Sequence, residues 1–191
     1  VPDVVVEKVG DDYVVTPCDS ASPRLIINSA YRAMLSDTRT DATARDFIRE
    51  RLNSAAWLIR ALGQRRDTIA KVATSIVSHQ RDFFDRGILH LRPLTLREVA
   101  VDIDMHESTV SRATAGKYAQ TPRGTFELRF FFGSGVSTSD GDTASAASIK
   151  KYIKEMIASE DAKSPLSDQE IANALTGEGI CISRRTVAKY R

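Results

Sequence analysis

Arg184, Arg185 and Lys189 crowd the end of this 191-residue chain, in the run Ser183-Arg184-Arg185-Thr186-Val187-Ala188-Lys189-Tyr190-Arg191, which contains no acid. The run reads as the exposed start of a helix: Ser183 offers a hydroxyl cap, and Val187 is kept for the inner face, toward Ile171. A helix so charged suits a groove full of phosphates. Arginine can also grip guanine O6 and N7 with two parallel hydrogen bonds, so a guanine-rich major-groove target follows. A reading in which these cations hold only phosphates stays open, since half or more of protein contacts to DNA go to the backbone. The candidate contacts are Ser183, Arg184, Arg185, Lys189 and Tyr190.

What must position them is a helix-turn-helix, and the chain carries its pattern twice. After Pro93, Thr95 and Glu98 make a capping box in Leu94-Thr95-Leu96-Arg97-Glu98-Val99-Ala100, so a helix begins there and ends near Asp104-Met105. A second helix starts at His106-Glu107-Ser108-Thr109-Val110-Ser111-Arg112, with His106 as a cap or turn residue. Leu166-Ser167-Asp168-Gln169-Glu170-Ile171-Ala172 repeats the first opening: leucine, hydroxyl cap, two variable positions, glutamate, a β-branched residue, alanine. Thr186-Val187 with Lys189 then matches Thr109-Val110 with Arg112. The second unit has the longer turn, placed at Thr176 to Gly179 with Ile180 and Ile182 inward. Groove-facing residues come from the first turn and a half of the second helix, which nominates Glu107, Ser108, Ser111 and Arg112 in the middle unit. Glu107 repels phosphate unless it accepts from cytosine N4, so this unit should bind DNA more weakly alone.

The remaining segments frame these units. Val4-Val5-Val6 and Tyr13-Val14-Val15 flank Gly10-Asp11-Asp12 as a hairpin would, and Arg24 to Asn28 looks like another extended piece. Between Asp41 and Phe84 apolar residues recur at helical spacing (Ile48, Leu52, Ala55, Ile59, Leu62, Ile69, Ala73, Ile76, Phe83) without a proline. This is one long helix, or two with a break near Gly63; if continuous it runs on the order of 65 Å, too long for a body of this size to cover, and would lie across a partner. Phe47 and Trp57 are expected to be packing residues. Pro122 and Gly124 bar a helix, and the aromatics after them should be buried within the chain. Residues 133–148 are small and polar and read as a flexible linker spanning somewhat over ~20 Å, enough when stretched for two units to dock about one helical turn apart. A supporting helix, Ile149 to Ala158, follows with Ile149, Ile153, Met156 and Ile157 inward.

Composition excludes little by itself. With 27 Lys+Arg against 25 Asp+Glu the net charge is only +2, so any nucleic-acid surface must come from clustering. Cys18 and Cys181 have no CxxC spacing and read as reduced thiols, and His79 and His90 lack partners at metal-ligand spacing. No cofactor is expected. There is no apolar run of membrane-spanning length and no signal segment, so a cytoplasmic protein is expected.

The closing run closely resembles the RpoN box of sigma-54 transcription factors, with Ser183 where the family usually has alanine, and with Arg191 standing before the family's closing glutamate. The resemblance extends over Leu91-Arg92-Pro93-Leu94-Thr95, the string 106–114, Lys117-Tyr118, Thr121-Pro122-Arg123-Gly124 and Phe126-Glu127-Leu128, in the family's order. It implies a mainly α fold: a long helix plus two helix-turn-helix units joined by a flexible linker, with a small N-terminal β-element. The expected parts are the end of a core-binding region (1–40), the long helix (41–90), the central helix-turn-helix domain (91–132), the linker (133–148) and the RpoN-box domain (149–191). It further implies a non-catalytic specificity subunit that binds core RNA polymerase and directs it to promoters. Arg184, Arg185 and Lys189 would read the guanine-guanine element near −24, and Ser108, Ser111 and Arg112 the guanine-cytosine element near −12. An ATP-consuming AAA+ activator then remodels the closed complex. Val1 and Arg191 look like truncation points, so these residues are expected to bind promoter DNA without supporting activator-dependent initiation. A two-headed helix-turn-helix repressor is the alternative and would need an effector or dimer surface. A recombinase would need a nucleophile or metal carboxylates, and the acids form no such set.

Overall fold

The computed structural model describes residues 1–18, 25–37, 41–133, 135–137, 143–160, 165–177, 180 and 182–191. β1 (Val4–Val9) and β2 (Asp12–Pro17) form the expected hairpin, with Gly10 supplying the left-handed φ of 64° at its turn. The hairpin does not stand alone. β3 (Tyr118–Thr121) and β4 (Gly124–Glu127) complete a four-stranded sheet in the order β2-β1-β3-β4, where β1 runs parallel to β3 with Val4 opposite Ala119. Alternation along β1 sends Val4 and Val6 into the core of the central unit, so residues 1–17 belong with that unit and not with a separate N-terminal segment.

Residues 25–28 are not a strand. Asn28 caps a short helix, α1 (Ser29–Ser36), by accepting from the Ala30 N–H at 2.9 Å; the extended reading of Arg24 to Asn28 missed this cap, and Arg24 lies outside the described residues. α2 (Ala42–His79) is continuous over 38 residues, about 57 Å. Gly63 does not break it, since one glycine costs a helix interior only about 1 kcal/mol. The chain turns instead at Gln80, which is fully buried: its Nε2 donates to the Arg92 carbonyl at 2.7 Å and its Oε1 accepts from the Arg92 N–H at 3.0 Å. α3 (Arg81–Arg86) and a 3-10 turn, Ile88–His90, follow, so the expected 41–90 helix is three pieces.

The buried residues of α2 all lie between Ile69 and Val77. Trp57 is 65% exposed and Phe47 57%, which corrects their reading as packing residues. Helical periodicity reports an apolar stripe, but not whether the chain itself covers it. Below that stripe the core closes around Phe83, whose ring centroid lies 5.2–5.4 Å from those of Phe84, Phe126 and Phe131. Phe131 is buried and Phe126, Phe130 and Phe132 are half-buried against the same core, so the aromatic run packs within the chain.

α4 (Leu96–Asp102) and α5 (Glu107–Thr114) lie on this core through Val99, Ala100 and Val110. The 133–148 segment departs from a plain coil: β5 (Gly135–Ser137) pairs antiparallel with β6 (Thr143–Ser145), and α6 (Ala146–Ala158) starts three residues before Ile149. Small polar residues read alike in coil and in hairpin, and Ser145 is the helix cap. α6, α7 (Asp168–Gly177) and α8 (Arg184–Tyr190) build a second core from Ile149, Ile153, Ile171, Leu175, Ile180 and Val187, with Met156, Ile157 and Ile182 half-buried against it. Thr176 and Gly177 belong to α7 and not to the turn after it.

Candidate nucleic-acid interface

Both helix pairs open on the same device. Thr95 Oγ1 accepts from the Glu98 N–H at 3.2 Å while Glu98 Oε2 accepts from the Thr95 N–H at 2.6 Å. Ser167 and Glu170 repeat it at 3.2 Å and 2.7 Å. The bonds from Thr95 hold the Glu98 carboxyl below the ordinary glutamate range, and those from Ser167 do the same to Glu170. The two first helices also close alike. Met105 N–H donates to Ala100 O and Ile180 N–H to Leu175 O, each at 2.9 Å. Asp104 takes the left-handed φ of 52° that such a close needs.

In the first pair, α5 is capped by His106, whose Nδ1 accepts from the Ser108 N–H at 3.2 Å. Nδ1 therefore carries no proton, so the Ser108 hydroxyl donates to it at 2.8 Å, and Arg112 Nη2 donates to Ser108 Oγ at 3.3 Å. Glu107, Ser108 and Arg112 are exposed, Ser111 is half-buried, and Val110 and Thr114 face inward. The Ser108–Arg112 bond aligns two nominated residues along one face, one helical turn apart.

In the second pair Ser183 caps α8, accepting from the Thr186 N–H at 3.3 Å, and Val187 is fully buried. Arg184, Arg185 and Lys189 are exposed, and among the described residues none of the three makes an ion pair. Their charge is uncommitted. Tyr190 differs from the other nominees: it is half-buried against the second core with Lys150 Nζ 5.1 Å from its ring centroid, so its ring serves packing. Arg191 is turned inward to bond the Leu166 carbonyl at 2.8 Å and Asp168 at 3.2 Å, beside Glu160. Nothing local in the sequence distinguishes Arg191 from its neighbours, because its partners lie more than 20 residues upstream. The nominated residues thus form two faces, one on each core.

A family profile described as "Sigma-54, DNA binding domain" matches residues 45–191. The chain belongs to the sigma-54 family. Among curated sigma-54 relatives, the RNA polymerase sigma-54 factor of Pseudomonas aeruginosa (strain UCBPP-PA14) is 47% identical over 192 residues, covering all of this chain and 38% of that protein. That of Escherichia coli (strain K12) is 42% identical over 191 residues, covering all of this chain and 40% of that protein. The chain therefore spans about two fifths of the length of these relatives. A solved structure, Aquifex aeolicus sigmaN bound to promoter DNA, is similar over all of this chain and 56% of that one, with a TM-score of 0.63 and 36% identity.

Proposed function

We propose that this chain is the promoter-reading part of a sigma-54-type transcription initiation factor. α8 enters the major groove at the guanine-guanine element near −24 and reads it with Arg184 and Arg185, while Lys189 and the capped start at Ser183 hold the backbone. α5 addresses the guanine-cytosine element near −12 through Ser108, Ser111 and Arg112. Glu107, at the head of the same helix, accepts from cytosine N4 or else weakens that contact. The observation that carries the reading is the α8 face: three exposed cations, without ion-pair partners among the described residues, and Val187 with no exposure directly behind them. The whole factor binds core RNA polymerase, waits for an AAA+ activator ATPase, contributes specificity without catalysing a reaction, and works in the bacterial cytoplasm at the nucleoid. In support of a large partner, the exposed two thirds of α2 offers a long surface.

Footprinting on duplexes with each element altered singly tests this. Arg185→Ala should lose about 1–3 kcal/mol confined to the −24 element, and Arg112→Ala a similar amount confined to −12. Uniform weakening on every duplex would make these residues phosphate contacts only and would sink the base-reading assignment.

A further inference from the structure

α6 does not begin in open solvent. Its first turn lies against the 3-10 turn Ile88–His90 of the central unit, and Ser148, only 2% exposed, makes the join. Ser148 Oγ lies 3.0 Å from the Ile88 carbonyl, 3.2 Å from the Leu91 carbonyl and 2.8 Å from Ser145 Oγ, which itself accepts from the Ser148 N–H at 3.1 Å. One proton arrangement serves every contact. Carbonyls only accept, so the Ser148 hydroxyl donates to that pair and the Ser145 hydroxyl donates to Ser148 Oγ. Within the helix cap alone the Ser148 proton could turn only to Ser145 Oγ; in the seated helix the two carbonyls of the central unit accept it instead. Ala147, next in line, packs on the central core, while Ile149 and Ile153 of the same helix sit in the core that carries α8. α6 is thus a strut with one end on each unit.

We propose that Ser148 sets the register of the two-headed interface: by seating α6 on the 88–91 turn it fixes the separation and rotation between α5 and α8, and with them the spacing between duplex elements that the chain accepts. This rests on the promoter-reading function above. One extra base pair moves a site by about 3.4 Å and turns it by about 35°. A coil of the length between the two units varies by far more than that and would tolerate the change. A seated strut must first come loose, and a buried hydroxyl donating to carbonyls typically shifts such an equilibrium about five- to tenfold.

Two measurements on the 191-residue chain test this. The first is affinity for duplexes carrying both elements at their natural spacing and with one base pair added or removed. The chain should lose about five- to tenfold on either altered spacer. Ser148→Ala and Ala147→Gln should lose about twofold or less, with the unfolding temperature of the C-terminal unit unchanged. A spacing penalty equal in parent and variants overturns the proposal, because mere loss of α6 stability would lower affinity at every spacing alike. The second uses no DNA: spin labels at Arg97→Cys and Ala188→Cys, with Cys18 and Cys181 replaced by serine, report the distance between units. A narrow distribution that broadens in Ser148→Ala supports the latch; one already broad in the parent overturns it. A narrow distribution together with failure to bind either element would instead overturn the promoter-reading function.

Discussion

Val187→Ala is the perturbation that separates the scaffold of α8 from its chemistry. Val187 has no exposure and shares its core with Ile149, Ile153, Ile171 and Leu175. The substitution removes two methyl groups, about 1.6 kcal/mol of transfer free energy at roughly 0.8 kcal/mol each, and the cavity left behind raises the loss to about 2–3 kcal/mol. The unit that must absorb this is small: α6 through α8 fill residues 146–190, and a body of that size has a net stability of roughly 2–7 kcal/mol. The loss is therefore a large share of the total. Thermal unfolding followed by hydrogen exchange should show the peptides of α6, α7 and α8 melting more than about 10 °C earlier, with those of α5 and the sheet little changed. Binding to the −24 element should vanish on warming and return on cooling, while Arg185→Ala weakens it by its about 1–3 kcal/mol at every temperature with no change in melting. An equal fall in both units, or no fall, would refute the idea of two independently packed cores.

Other outcomes follow from the same structure. Phe83→Ala removes the ring at the centre of the aromatic cluster and should cost about 3–5 kcal/mol, read by denaturant unfolding of the central unit. Trp57→Ala should change stability by less than about 0.5 kcal/mol, and the fluorescence of this single tryptophan should report a solvent-exposed indole in the free chain. Glu98 and Glu170 are held below the ordinary glutamate range, so their capping contribution is fully present above the unfolded-state pKa and drains away as pH falls through the folded-state value. Glu98→Gln with Glu170→Gln keeps the box geometry without the titration and should flatten the acid limb of a stability–pH curve.

The legible parts were local. Thr95 with Glu98 and Ser167 with Glu170 announce helix starts within four residues, and both boxes form, so the two helix-turn-helix units could be read directly. Gly10 placed the first hairpin for the same reason. The parallel pairing of Val4 with Ala119 joins residues more than a hundred positions apart, and no pattern in either strand specifies that partner. Gln80 falls between the apolar positions Ile76 and Phe83, and nothing near it announces its burial, because its two bonds go to a backbone twelve residues later. At the site, Arg184, Arg185, Lys189 and Arg112 stand exposed as their types suggested. Tyr190 and Arg191 could be separated from them only once α6 and the start of α7 were folded beneath.

The central claim is that α8 and α5 touch one duplex at two separate elements. A chelate generating hydroxyl radicals, attached at Ala188→Cys or at Glu107→Cys with the native cysteines replaced, tests it most directly. The expected cuts cluster at the −24 guanines from position 188 and near −12 from position 107, about one helical turn apart. Overlapping cuts from both positions, or none from position 188, would contradict the account.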